Sequence, residues 1–213
     1  MILYFTSLLN KHGFTPGQSE GGLLALLSEN HEIKVSSSQK NKMVRLLDMI
    51  HFFIFNKKAA DLILIDTFST NSFYYALIIS ILAKLYNIPY APILRGGNLP
   101  ERLNNNPALS IIIFGNALVN ISPSLYLRYH FIEKGYSVKY IPNFIELENY
   151  PFENRGKCRP KLLWVRSFHK VYNPEMAIHV LLGYLKNFLI QNFVWLDPIR
   201  MDLCNPAGRW LKV

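Results

Sequence analysis

The sequence predicts an α/β protein: a doubly wound, mostly parallel, Rossmann-like sheet followed by an incomplete second α/β domain. Three observations predict it. Short apolar runs of strand length alternate with helix-length segments from the first residue onward. One of them, Asp61-Leu-Ile-Leu-Ile-Asp66, is apolar throughout between two acids, the pattern of a strand buried on both faces of a parallel sheet. Residues 143–160 then lose all periodicity and carry charge of both signs, after which the alternation restarts.

In chain order, Ile2 to Leu8 reads as the first strand, and the turn-rich stretch from His12 to Gly22 leads into a Leu-rich helix, Leu23 to Ser28. Ile33 to Ser37 is the second strand and Lys40 to Phe55 a basic helix. The Asp61 to Asp66 run is the third strand. Thr67-Phe-Ser-Thr-Asn-Ser72 supplies capping side chains for an apolar helix, Phe73 to Tyr86. That helix holds Ser80 and Lys84 and is well short of the ~20 residues that span a bilayer, so it reads as buried. Pro89 to Leu94 is the fourth strand, Ala117 to Ile121 the fifth, Pro123 the first position of a helix, and Val138 to Ile141 a short sixth strand. Lys161 to Val165 and Pro174 to Lys186 open the second domain as strand and helix. The expected organisation is thus a domain over 1–142, a linker over 143–160, the start of a second domain over 161–186, and a tail over 187–213.

Composition bounds the partners. Of 213 residues, 50% are hydrophobic and 17% charged, enough to bury a core and exclude disorder. With Gly 11, Pro 12 and Cys 2, collagen-like and disulfide-stapled chains are excluded. The balance of 23 Lys+Arg against 14 Asp+Glu gives a net charge of +9, which favours anions: nucleic acid, anionic lipid headgroups or phosphorylated small molecules. Dispersed charge and the lack of a recognised motif argue against nucleic acid. Cys158 and Cys204 are far apart, offer no metal-ligand spacing and fit a reducing compartment. Met1-Ile-Leu-Tyr-Phe5 has neither the basic start nor the cleavage site of a signal peptide, so a cytoplasmic location is expected.

Four features carry a resemblance by their order and spacing: a Gly21-Gly22 loop after the first strand, a strand ending in Arg95-Gly96-Gly97, Ile141-Pro-Asn143 before the linker, and Leu163-Trp-Val-Arg166 opening the second domain. Together they resemble the family 4 glycosyltransferases, in which two Rossmann-like domains face each other across a cleft (the GT-B architecture). The resemblance covers residue 1 to about residue 186. It implies retaining transfer of a sugar from a nucleotide-sugar donor to a glycan or lipid-linked acceptor. The N-terminal domain would hold mainly the acceptor and the C-terminal domain the nucleotide. Neither a cofactor nor a metal is expected.

Gly21 and Gly22 would let the backbone approach a phosphate or sugar at the start of the following helix, where amide donors and the dipole favour an anion. A two-glycine turn is more often only a turn. Arg95, Gly96, Gly97 and Asn98 sit at the carboxyl end of a parallel strand, the edge where open α/β sheets place ligands, and are assigned to the acceptor side or cleft. Many members of the resembled family have His at the position of Arg95, so here a fixed cation replaces a neutral hydrogen-bonding group; a surface Arg beside a turn is an equally good reading. Arg166 falls where the family presents an Arg to the donor diphosphate. The companion Lys is missing: Tyr172 stands near its place, and Lys170 is out of register. His12 and His169 read as solvated loop residues, and Asn143 as a strand terminator.

Hydrolase, zincin, P-loop and paired-cysteine motifs are absent from the sequence. So is the family's acidic pair, whose nearest counterpart, Glu146 and Glu153, is one residue short and lies in the linker. No catalytic residue is therefore assigned. The basic helix from Lys40 to Arg45, with His51, Phe52 and Phe53, could rest on an anionic membrane surface, although such a stretch is more often a solvated face.

From Asn187 the text lacks a clean period and holds Trp195 and Trp210, two of the chain's three tryptophans. The neighbouring reading frame permits an apolar strand running into a Gly-Pro-Asp turn, as the family has at this place. One glycine further on is forced there by Met201 followed by Asp202. The expectation is a frameshift near Lys186, an irregular out-of-frame tail, and a chain that does not itself complete transfer.

Overall fold

The computed structural model describes residues 1–6, 24–36, 39–143, 154, 161–165, 170–187 and 192–196. The chain forms two compact units, Met1–Tyr150 and Pro151–Val213.

In the first unit six strands pair in parallel throughout, in the order β2-β1-β3-β4-β5-β6. They are β1 (Ile2–Phe5), β2 (Ile33–Ser36), β3 (Leu62–Thr67), β4 (Tyr90–Leu94), β5 (Asn120–Ser122) and β6 (Val138–Tyr140). Between them lie α1 (Leu24–Ser28), α2 (Lys42–Asn56), α3 (Ser72–Leu85), α4 (Leu99–Asn105), α5 (Pro107–Ser110) and α6 (Leu125–Glu133). This is the α/β fold that the alternation predicts, with helices on both faces.

Strand periodicity sorts the core into two layers. Leu3, Phe5, Ile63, Ile65, Tyr90 and Leu94 pack with Met49 and Phe53 of α2, Phe73, Ala76 and Ile79 of α3, and Phe131 of α6. The alternate residues Ile2, Tyr4, Leu64, Ala91 and Ile93 face the other way, against Leu24 and Leu27 of α1. Strand β3 is buried along nearly its whole length, as its continuous apolar run requires.

Pro92 stands inside β4, where a proline is ordinarily excluded because it cannot donate to a ladder. Its neighbours show how it is accommodated. Arg95 N–H donates to Thr67 across to β3, whereas the Tyr90 carbonyl accepts from Leu118 on the β5 side. Pro92 shares Tyr90's orientation, so its missing donor falls toward β5, where pairing is reduced to Ile93 with Ile121.

Helix ends follow local chemistry, with two departures from expectation. The Asn41 side chain accepts from the N–H groups of Met43 (2.9 Å) and Val44 (3.3 Å), capping α2. After α3, Asn87 takes a left-handed φ of 55° and Ile88 N–H donates back to the Ala83 carbonyl, closing the helix. Gly135, at φ 82°, follows α6. Ser124, not Pro123, starts α6: its hydroxyl accepts from Leu127 N–H at 3.2 Å. The polar run before α3 does not cap it through a side chain, because Asn71 itself has helical backbone angles and makes no capping bond.

The region 99–119 also departs from expectation. The strand expected over Ala117 to Ile121 begins at Asn120 and pairs at Ile121, leaving Leu118 exposed. Ahead of it come α4, α5 and a π-helical turn, Ile111–Gly115, whose carbonyls at Ile112 and Ile113 accept from the Tyr90 hydroxyl. Asn106-Pro107 breaks what would have been one helix, because the residue before a proline avoids the helical region. In α2, Arg45 is not part of a solvated basic face. It is buried, and its Nε donates to the Gln39 carbonyl at 2.7 Å.

In the second unit, β7 (Lys161–Val165) and β8 (Asn192–Leu196) pair in parallel through α7 (Pro174–Asn187). The expectation of irregular chain from 187 is thereby corrected at Asn192–Leu196. Phe193-Val194-Trp195-Leu196 is an apolar, aromatic and β-branched run that suits a strand in whatever frame it is encoded. Among the described residues, no helix is long and apolar enough to cross a membrane.

Candidate functional site

The winding of the sheet reverses between β1 and β3: from β1 the chain first adds β2 on one side and then β3 and β4 on the other. At such a point the loops leaving neighbouring strands diverge and open a crevice beyond their carboxyl ends. Residue rows converge there. Ile2, Tyr4 and Thr6 form one alternate row; Leu62, Leu64 and Asp66 form the next; Ala91, Ile93 and Arg95 form the third. Each row is apolar low in the sheet and polar at its carboxyl end.

The polar ends meet. Asp66 accepts from the Tyr4 hydroxyl at 3.0 Å and the Thr6 hydroxyl at 2.6 Å, both through Oδ2. Its Oδ1 accepts from Arg95 Nε at 2.9 Å. Arg95 Nη1 reaches Asn143, just beyond β6, donating to its Oδ1 at 3.1 Å. The Asp66 side chain is 2% exposed and that of Arg95 12%. Burial alone would weaken the guanidinium's hold on its proton, but Asp66 and the Tyr4 hydroxyl outweigh it and hold Arg95 above the usual arginine range. The cation is thus permanent, and it is locally neutralised.

Arg95, read from the sequence as a fixed cation, is paired with Asp66. An Arg bound to a buried carboxylate presents no net charge, and its remaining capacity is that of an oriented hydrogen-bond donor. Asn143, expected as a strand terminator, lies three residues beyond the end of β6 and holds the far end of the guanidinium.

Gly96, Gly97 and Asn98 lie in the turn from β4 to α4, with Leu99 N–H donating to the Gly96 carbonyl at 3.1 Å. Neither glycine has a positive φ. A Cβ at Gly96 would be 3.5 Å from the Ser69 nitrogen, and one at Gly97 would meet nothing within 4 Å. The loop therefore shows bare backbone beside Arg95, with open space at Gly97. Asn98 is exposed and makes no capping bond to α4. At this same edge, a small pocket is lined by Phe5, Thr6, Met49, Asp66, Phe68 and Tyr75.

Gly21, Gly22 and Arg166 lie outside the described residues, as do His12 and His169. Helix α1, which begins just after the glycine pair, packs on the same sheet face as Tyr4. Lys170 and Tyr172 belong to a 3-10 turn and are exposed. No group of His, Cys, Asp or Glu among the described residues could hold a metal.

Asp66, Tyr4 and Thr6 are the residues that sequence reading missed. Asp66 was legible only as the boundary of an apolar run, and the other two sat inside a strand. The available signal was the polar residue closing each of three apolar rows, but recognising it requires knowing which strands are neighbours.

No family model matches the sequence, and neither does any curated protein. Among solved structures, one that is similar is described as a UDP-N-acetylglucosamine 2-epimerase from Listeria monocytogenes. It is 12% identical, and the alignment covers 98% of this chain and 64% of that one at a TM-score of 0.47. The chain spans less than two thirds of that protein's length.

Proposed function

We propose that the chain carries the acceptor-side domain of a retaining glycosyltransferase that moves a sugar from a nucleotide donor to a glycan or lipid-linked acceptor. The observation that carries this reading is the Tyr4–Thr6–Asp66–Arg95 cluster at the switch point of the sheet. A neutral, pre-oriented set of donors and acceptors beside bare glycine backbone suits an uncharged polyhydroxylated ligand better than it suits a phosphate. Arg95 with Gly96, Gly97 and Asn98 would line the acceptor cleft. Gly21, Gly22 and Arg166 would serve the donor phosphates.

Retaining transfer needs the departing diphosphate stabilised by fixed cations. Arg166 is not followed by the companion Lys, and the family's acidic pair has no counterpart, so this 213-residue chain would bind without turning over. Saturation-transfer NMR of the chain with oligosaccharides tests the reading. Binding of a glycan, weakened tenfold or more by Arg95→Gln with the fold retained, is the expected result. Indifference to every glycan offered would refute it.

A further inference from the structure

Arg102, the fourth residue of α4, has no counter-ion among the described residues. Its guanidinium carbon lies 4.6 Å from the centre of the Phe73 ring and 5.2 Å from that of Tyr74, both in the first turn of α3. Nε is buried without an acceptor, whereas the two Nη groups reach solvent and donate to no described residue. The adjacent acid, Glu101, is exposed and likewise forms no ion pair among the described residues.

Other arginines of the domain show what is missing. Arg95 is neutralised by Asp66, and Arg45 donates to the Gln39 carbonyl. A guanidinium partly withdrawn from water without an acceptor is unfavourable. Stacking on aromatic faces offsets some of that cost and fixes the plane of the fork, but it uses none of the N–H donors. An aromatic shelf that turns unused Nη donors outward, beside the 45%-exposed Tyr74, is an arrangement that grips an oxyanion.

Position narrows the choice of oxyanion. Because α3 follows β3 and α4 follows β4, both helices start at the carboxyl edge of the sheet, and the loops leading to them touch, Gly96 lying against Ser69. That edge holds the Tyr4–Thr6–Asp66–Arg95 cluster, in which the two charges cancel and the remaining groups suit hydroxyls. Arg102 adds what the cluster lacks, a cation without a partner. A ligand that satisfies both is hydroxylated at one end and anionic at the other.

We infer that Arg102 binds the phosphoryl group of a phosphorylated sugar acceptor, its Nη groups donating to phosphate oxygens while the cluster takes the sugar hydroxyls. The sugar half rests on the acceptor-side reading above. The anion half does not, since inorganic phosphate alone tests it. A soluble sugar monophosphate and the phosphodiester of a lipid-linked sugar share this chemistry.

The experiment titrates the full chain with inorganic phosphate, a hexose, its 1-phosphate and the hexyl diester of that phosphate, followed by ligand-observed NMR. The 1-phosphate or the diester should bind at least about tenfold more tightly than the hexose, as a charge-assisted contact provides, and the margin should shrink as salt is added. Which of the two binds better assigns the source. Arg102→Gln should remove the margin and leave the hexose affinity unchanged; Arg102→Lys should keep only part of it, because the charge stays and the fork is lost. Equal affinity for the hexose and both phosphates would overturn the inference, and that comparison needs no variant to fold. Phosphate binding indifferent to Arg102→Gln, with circular dichroism unchanged, would overturn it too. Inorganic phosphate bound as tightly as the sugar phosphate, and lost in Arg102→Gln, would uphold the anion site and refute the acceptor reading on which the sugar half rests.

Discussion

Arg95 Nε lies 2.9 Å from Asp66 Oδ1, and the two residues close adjacent apolar rows of the sheet. The pair is nearly dry and its carboxylate is fully engaged, so neither partner can be removed without leaving the other uncompensated. Arg95→Ala is expected to destabilise the domain by roughly 3–5 kcal/mol, as breaking a buried pair does. Asp66→Ala should do the same, and the two together should cost less than their sum. Urea unfolding of the three variants checks this; strict additivity would show that the pair is not energetically coupled.

The centre of β3 gives a simpler expectation. Leu64 and Ile65 are buried on opposite faces, 5% and 2% exposed, and each belongs to a different core layer. Either one changed to Ala should cost about 2–5 kcal/mol through the cavity left behind. Because the sites share no layer, their effects should add. Thermal or urea denaturation reads both quantities.

Alkaline pH should destabilise the domain. Burial raises the Tyr90 hydroxyl above its ordinary 10.0, opposed in part by Ser80, and burial also raises Tyr136. A group whose folded pKa is raised contributes stability below its unfolded pKa and loses it as pH rises through the folded one. The unfolded chain releases those protons first, so stability should decline above about pH 10. Tyr90→Phe should flatten that decline while losing the hydrogen bonds to the Ile112 and Ile113 carbonyls. Unfolding free energy measured against pH, with tyrosinate absorbance alongside, decides.

Asn41 caps α2 through two backbone amides, and Asn41→Ala should cost about 1 kcal/mol. Asn41→Ser should restore most of it. An equal loss in both would mean that Arg45, holding the Gln39 carbonyl, fixes the helix start instead.

The expectation of a frameshift near Lys186 is a statement about codons. The gene's DNA from that point should read as an apolar strand and a Gly-Pro-Asp turn in the neighbouring frame. Codons incompatible with that peptide would sink it, whatever structure Asn192–Leu196 adopts.

The sequence by itself determined the fold class. Continuous apolar runs too short for helices, separated by helix-length segments, admit few arrangements other than a parallel sheet with crossovers; β1 starts where the pattern puts it, and β2 to β4 lie within a residue of theirs. It also located the carboxyl end of β4 as the place to look, because that edge of an open parallel sheet is where loops gather. What it could not contain was adjacency. Residues four, six, 66 and 95 are scattered along the chain and become one cluster only through the β1–β3 and β3–β4 registers. Arg95 read from the chain is a lone cation; beside Asp66 it is half of a neutral pair. The same holds for α2. Its composition shows a basic, apolar helix, but which residues turn inward depends on the sheet it packs against. Only that packing buries Arg45 and Phe53 and leaves Leu47 and Phe55 in solvent. Local pattern sets the elements because backbone sterics and periodicity are local; electrostatic partnership and exposure are set by long-range contacts.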